Sequence, residues 1–176
     1  MATSVLCLFI LSTILSISFA HPNTLNPPHP REKEKTLLVV EGMVYCQSCA
    51  HIGSWSLTGA RPLPSAKVGI SCRDHKNRVG FYKSVKADNN GYFYCPLEGL
   101  EVKRYYKGEF ARACTVKLLS SPNGECNLLT NINGGIEGSA LRDVNKTVVG
   151  KGYKAVVYST GPLAFRPGRC PPLVHY

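Results

Sequence analysis

The sequence predicts an all-β fold: a single disulfide-stapled antiparallel Greek-key β-sandwich or barrel of about seven strands. Three observations point there. Short segments rich in β-branched and aromatic residues recur between Gly, Pro and Asn turn signals. A 3.6-residue apolar stripe of helical length appears nowhere. Eight cysteines in 176 residues are too many for an ordinary reducing compartment.

The elements follow in order. Leu37–Cys46 is aliphatic and β-branched, and reads as the first strand. A Leu63-Pro64-Ser65 turn leads into Ala66–Cys72. There Ala66, Val68, Ile70 and Cys72 alternate with Lys67, Gly69 and Ser71, the period of a half-buried strand. Val79–Lys86 is a further strand. Asp88-Asn89-Asn90-Gly91 reads as a hairpin turn, because Asn and Gly tolerate positive φ. Tyr92–Cys95 follows it. Ala113–Leu119 places Cys114, Val116 and Leu118 on one face. Asn131–Gly138 is a loop, and Tyr153–Tyr158 closes the set. No internal repeat is present.

The chain opens differently. Met1–Ala20 carries no charged side chain and holds an apolar run, Val5–Ile17, that is short of the roughly 20 residues needed to span a bilayer. Ser18-Phe19-Ala20 is a small-x-small cleavage site, so residues 1–20 read as a secretory signal peptide. The alternative is an uncleaved signal anchor. Residues 21–36 then form a solvated linker, with four prolines in its first ten residues and an all-charged run Arg31–Lys35. Residues 37–176 are the domain. Cleavage removes Cys7 and leaves seven cysteines, hence three disulfides and one odd thiol in an oxidising compartment.

Cys46-Gln47-Ser48-Cys49 is a C-x-x-C. Zinc would need a second pair at ligand spacing, and the other cysteines are isolated. A redox site would need a following helix, and Ala50–Gly59 is poor helix material. The structural reading remains: two cysteines at the end of one strand, each bridged to a distant strand. No nucleophile constellation stands out. Among the acids only Glu41 falls on an apolar strand, where an edge position explains it better than a paired-carboxylate site. The charge is more informative. With 21 Lys+Arg against 11 Asp+Glu the chain carries +10. Basic residues cluster as Arg73, Lys76 and Arg78, and again with aromatics as Lys103-Arg104-Tyr105-Tyr106-Lys107. Secretion excludes nucleic acid, which leaves acidic polysaccharide or an anionic membrane surface as the polyanion. Tyrosine beside Lys or Arg suits sugars: the ring stacks on a pyranose while the cation pairs with a uronate. The plainer alternative is a solvated basic face that keeps the protein soluble. Asn145-Lys146-Thr147 is the sequon, and on an exposed loop it would carry an N-glycan at Asn145.

Glu41-Gly42-Met43-Val44-Tyr45-Cys46-Gln47-Ser48-Cys49 resembles the opening signature of the plant Ole e 1-like pollen allergen family. Val68-x-Ile70-x-Cys72-Arg73-Asp74, Cys114-x-Val116-x-Leu118-Leu119-Ser120-Ser121, Gly124-Glu125-Cys126-Asn127 and Cys170 follow in matching order. The short proline-rich lead is similar to that of proline-rich and non-classical arabinogalactan proteins with a cysteine-containing PAC domain. Gln47, Ser48 and Ala50 depart from the allergen pattern and favour the wall-protein branch. The resemblance implies the pairings Cys46–Cys126, Cys49–Cys170 and Cys72–Cys114. It leaves Cys95 unpaired, either buried and inert or the site of a Cys95-linked dimer. It also implies a secreted, non-enzymatic cell-wall protein without cofactor or metal. Its partners would be acidic or galactan-type wall polysaccharides, with extensin and arabinogalactan glycans among the candidates. The other readings are an extracellular module that binds a protein partner and, for a concave site with two close acids, a wall-active enzyme.

Overall fold

A computed structural model describes residues 35–100 and 110–172. Ten strands form one hydrogen-bonded sheet: β1 Lys35–Cys46, β2 Arg61–Pro62, β3 Lys67–Arg73, β4 Val79–Lys86, β5 Tyr92–Pro96, β6 Cys114–Ser120, β7 Leu128–Leu129, β8 Ser139–Gly150, β9 Tyr153–Thr160 and β10 Leu163–Arg166. One short helix, α1 (Phe110–Ala113), sets the Phe110 ring on Tyr158 of β9, centroids 4.8 Å apart. Along the sheet the order is β4-β3-β6-β8-β9-β1-β10-β7, with β5 and β2 also on β1. The strands share one core. Val40 of β1, Ile70 of β3, Phe93 of β5, Val116 of β6, Leu141 of β8 and Phe165 of β10 pack into a single buried cluster, so the sheet wraps round on itself as an incompletely closed barrel. Across the gap between β4 and β5 the Lys83 ammonium donates to the Pro96 carbonyl (2.8 Å).

The all-β class is as the sequence predicts, and each predicted segment lies within or overlaps a strand. The details differ. The described residues hold ten strands rather than about seven, because the two-residue strands and β8 carry little β signal. Pairing is mixed rather than antiparallel: β1 runs parallel to β9 over Lys35–Glu41 and parallel to β10 over Val44–Cys46. Alternation reports which face a residue occupies and says nothing about the direction of its neighbour. β1 also begins at Lys35, so the last two residues of the predicted linker are already paired.

Asp88–Gly91 makes a tight turn but not a hairpin. Asp88 Oδ1 accepts from the Asn90 and Tyr92 amides, and Gly91 takes φ +73°. The strand that leaves the turn pairs with β1, not with β4. The turn therefore carries the chain from one part of the sheet to another. A Cβ on Gly91 would lie 2.5 Å from the Val44 carbonyl oxygen, so the close passage itself requires glycine.

β1 is the central strand. Leu38, Val39 and Val40 are all buried, as expected of a strand covered on both faces. Leu38 and Val40 enter the main core, while Val39 packs with Ala155 and Val157 on the opposite face. β1 exchanges partners near its middle, from β9 and β5 to β10 and β2. At that point sits Gly42, where a Cβ would come within 2.6 Å of Thr160 Cγ2 and 2.7 Å of Phe93 Cζ. Phe93 is 1% exposed and has no room to retreat. Gly42→Ala should therefore overpack the core and destabilise the fold by about 1–3 kcal/mol. Urea unfolding followed by circular dichroism measures this, and an unchanged midpoint would show that the Gly42 contact is not limiting.

Candidate functional site

Three disulfides fasten the strand ends. Cys46 at the end of β1 is bonded to Cys126, and Cys49, in the 3₁₀ turn Cys49–His51, to Cys170, with Cα separations of 6.0 and 5.7 Å. Both partners lie in loops, not in distant strands as the C-x-x-C suggests. The third, Cys72–Cys114, joins directly opposed residues of β3 and β6, Cα atoms 4.0 Å apart. The first two close loops of 80 and 121 residues, each worth roughly 4–5 kcal/mol in the chain-entropy picture. Between them lies a cleft of about 1110 Å³, bordered by Arg61, Asn123, Glu125 and Arg169. Among the described residues its single carboxylate is Glu125. Among the described residues no cluster of three His, Cys, Asp or Glu could hold a metal ion, and no helix is long and apolar enough to cross a membrane.

Gln47, inside the C-x-x-C, is the largest buried polar side chain. Its Nε2 shares its two hydrogens among the carbonyls of His51 (2.8 Å), Ser54 (3.0 Å) and Ser56 (3.0 Å), and its backbone N–H donates to the Phe165 carbonyl of β10 (2.9 Å). One amide thus shapes the whole 51–56 loop. At the crest of that loop Trp55 is 73% exposed.

The predicted basic cluster Arg73, Lys76 and Arg78 occupies the turn between β3 and β4. Arg78 is committed to Asp74 through Nε (3.0 Å) and Nη2 (2.8 Å), and Arg73 Nη1 donates to the Asn77 carbonyl (3.0 Å). Lys76 makes no side-chain bond among the described residues. The second predicted cluster, Lys103, Arg104, Tyr105, Tyr106 and Lys107, lies outside the described residues.

Sequence reasoning missed the rest of this face. Val68, Ile70 and Cys72 of β3 point into the core, so Lys67, Gly69, Ser71 and Arg73 point out. In register with them are Lys86 and Tyr82 of β4 and Lys117 of β6. Tyr82 is 59% exposed and lies across Gly69, where a Cβ would meet its hydroxyl at 2.9 Å. Lys67 and Lys86 are direct cross-strand neighbours. No Asp or Glu occurs in β3, β4 or β6. The signal was present in the alternation of β3, but the pairing of Lys67 with Lys86 is a matter of register.

Glu41 is not at an edge. It is paired on both sides, to Tyr94 and Ser159. Its carboxylate accepts from Tyr92 Oη (2.6 Å) and Lys146 Nζ (2.9 Å). Burial raises the carboxyl, but these two hydrogen bonds and the Lys146 charge outweigh it and leave it below its ordinary value. Burial and the Glu41 bond push the Tyr92 phenol far up. This is an ion pair that fastens β8 to β1, not a pair of acids. Lys146 reaches Glu41 because β8 bulges between Asp143 and Lys146. Asn145 sits in that bulge at φ +52°, exposed, with its N–H on Asp143 Oδ1 (2.8 Å). The sequon therefore lies within a bulged strand and not on a loop. Cys95 is 1% exposed in β5, and burial raises its thiol. A Cys95-linked dimer would require β5 to leave β1, because the sulfur faces the core.

This scaffold has known counterparts. The chain is 33% identical over 141 residues to non-classical arabinogalactan protein 30 of Arabidopsis thaliana, covering 78% of this chain and 55% of that protein. The chain has homologues among plant arabinogalactan and extensin-like proteins. A second relative, the pistil-specific extensin-like protein of Nicotiana tabacum, is 36% identical over 104 residues, 59% of this chain and 22% of the relative. The chain thus spans about half the length of the first and about a fifth of the second. The crystal structure of the major plantain pollen allergen Pla l 1 matches with a TM-score of 0.54 at 23% identity, covering 77% of this chain and 98% of that one. The fold is that of the Ole e 1-like pollen allergens. No family model matches the chain.

The turn that presents Lys76 should resist acid. The Arg78 guanidinium and backbone N–H hold the Asp74 carboxyl down at about 2. A carboxyl held below its unfolded value of about 3.9 stabilises the turn above that pH, and the stabilisation is lost as pH falls from about 4 to about 2. The Arg78 amide and Nε–H resonances should move with a midpoint near 2, following the Asp74 carboxyl. A midpoint at the ordinary aspartate value would mean that the pair does not form in solution.

Proposed function

We propose that this protein is secreted to the plant cell wall and binds acidic wall polysaccharide through the outer face of β3, β4 and β6. One observation carries the reading: Lys67 and Lys86 stand directly opposite each other on strands that contain no acid. Like charges at opposed positions of an antiparallel pair are destabilising. Neither lysine makes an ion pair among the described residues, so nothing within the sheet offsets their repulsion. A polyanion laid along the face would do so. From Lys67 to Arg73 the face extends roughly 20 Å at about 3.3 Å per residue, long enough for a chain rather than a single ion. Lys117 flanks it, and Tyr82 supplies an exposed ring for a pyranose to lie on. The names of the arabinogalactan and extensin-like relatives support the cell-wall setting.

The purified protein should be retained by pectin, less by galactan and least by neutral glucan. Retention should fall steeply with salt, since exposed charges are screened beyond about 8–10 Å at physiological ionic strength. The double variant Lys67→Glu and Lys86→Glu should weaken pectin binding at least about tenfold, equivalent to ~1.4 kcal/mol. Equal retention on all three polymers, or none at low salt, would overturn the proposal. Binding that survives moderate salt would favour a protein partner instead.

Asn145 is proposed to carry an N-glycan, because the bulge holds its side chain out at a left-handed residue. The intact mass of the secreted protein should fall on glycosidase treatment. An unchanged mass would leave Asn145 unmodified.

A further inference from the structure

The loop that Gln47 shapes has no role in the binding face described above. It presents an unusual feature for its construction. Trp55 is 73% exposed, although tryptophan is among the more buried residue types on average. The exposure does not come from a frayed segment. Besides the three bonds from Gln47, Ser54 Oγ donates to the His51 carbonyl (2.8 Å), the Ser56 N–H donates to Ser54 Oγ (3.1 Å), and the Ser56 hydroxyl bonds Thr58 (3.0 Å). The adjoining Cys49–Cys170 bridge fastens the loop's start. The indole is held out on a fixed support.

Beside it is a hollow of about 280 Å³, lined by Gln47, Ser54, Trp55, Asn131, Ile132 and Arg166 among others. Among the described residues no carboxylate lines it. Arg166 ends β10, next to the Phe165 carbonyl that accepts from Gln47, and its guanidinium makes no bond among the described residues. Asn131 spends its Oδ1 on the Ile136 and Glu137 amides (3.2 and 3.1 Å), which leaves its Nδ2 as a donor. The hollow therefore combines one flat apolar ring, one cation and one amide donor. A pyranose offers an apolar C–H face to an indole, its hydroxyls accept from amides, and only a carboxylated sugar adds an anion for a guanidinium.

We propose that Trp55, Arg166 and Asn131 form a subsite for a single uronic-acid residue, with the ring stacked on Trp55 and the carboxylate on Arg166. This rests on the acidic-polysaccharide reading above and adds to it a second, specific contact separate from the lysine face.

The chain contains one tryptophan, so its emission reports Trp55 alone. The full mature protein is titrated with trigalacturonate, with a glucuronosyl-galactose disaccharide and with neutral trigalactose. A saturable change in emission with either acidic sugar is expected, and which of them acts distinguishes a pectic from an arabinogalactan source. Trigalactose should leave the emission unchanged at the same concentrations. By calorimetry, Arg166→Gln should weaken the acidic oligosaccharide at least tenfold and Trp55→Ala should abolish its binding, with both variants keeping the wild-type circular dichroism. An equal response to trigalactose, or no response to either acidic sugar while the wild type still binds pectin, would overturn the subsite and leave the lysine-face reading standing. Failure of the wild type to bind pectin at all would overturn that reading, whatever the emission does.

Discussion

Everything in this fold depends on β1 being able to change partners in mid-strand. Its first half is clamped between β9 and β5, and its second half between β10 and β2. A strand can do this only where its backbone is closely approached from the side, and Gly42 provides that place between Phe93 and Thr160. The exchange lets one strand serve two parts of a curled sheet. It also carries the chain directly to Cys46, where the covalent fastening begins.

The consequences reach both ends of the molecule. Beyond the exchange, Gln47 sits between the two anchored cysteines and turns a segment without regular structure into a fixed support for Trp55. Before it, Glu41 receives Lys146 from the β8 bulge, which is why that bulge, with Asn145 in it, has a defined shape. The motif of residues 41–49 is thus mostly architectural. Its glycine makes room, its cysteines fasten loops, and its glutamine replaces the carbonyl partners that a helix or sheet would have supplied.

How much of this was legible varies with the range of the interaction. The faces of β3 and β6 could be read directly, because alternation is local and Val68, Ile70, Cys72, Val116 and Leu118 are all inside. The Asp88–Gly91 turn was legible as a turn, since Asx bonding and positive φ belong to those four residues. That it joins strands which do not pair was not legible, because the competing partner for β5 lies about fifty residues earlier in β1. The same holds for Glu41. Its flanking residues suggest an edge, and only the arrival of Tyr92 and Lys146 explains a carboxylate at the centre of the sheet. The basic cluster at 73–78 was visible as a run of charges, yet Arg78 is spent on Asp74. The lysines that oppose one another, Lys67 and Lys86, are nineteen positions apart and form no run.

The sequence alone determined the class of fold and the inward face of its regular strands. These follow from composition and from a two-residue period, which the local backbone imposes. The tertiary structure decided the direction of pairing around β1, the partners of Glu41 and Gln47, and the grouping of Lys67, Lys86 and Tyr82 on one face and of Trp55 with Arg166 on another. Those depend on which distant segments reach β1 first and in what register, and side-chain period carries no information about either.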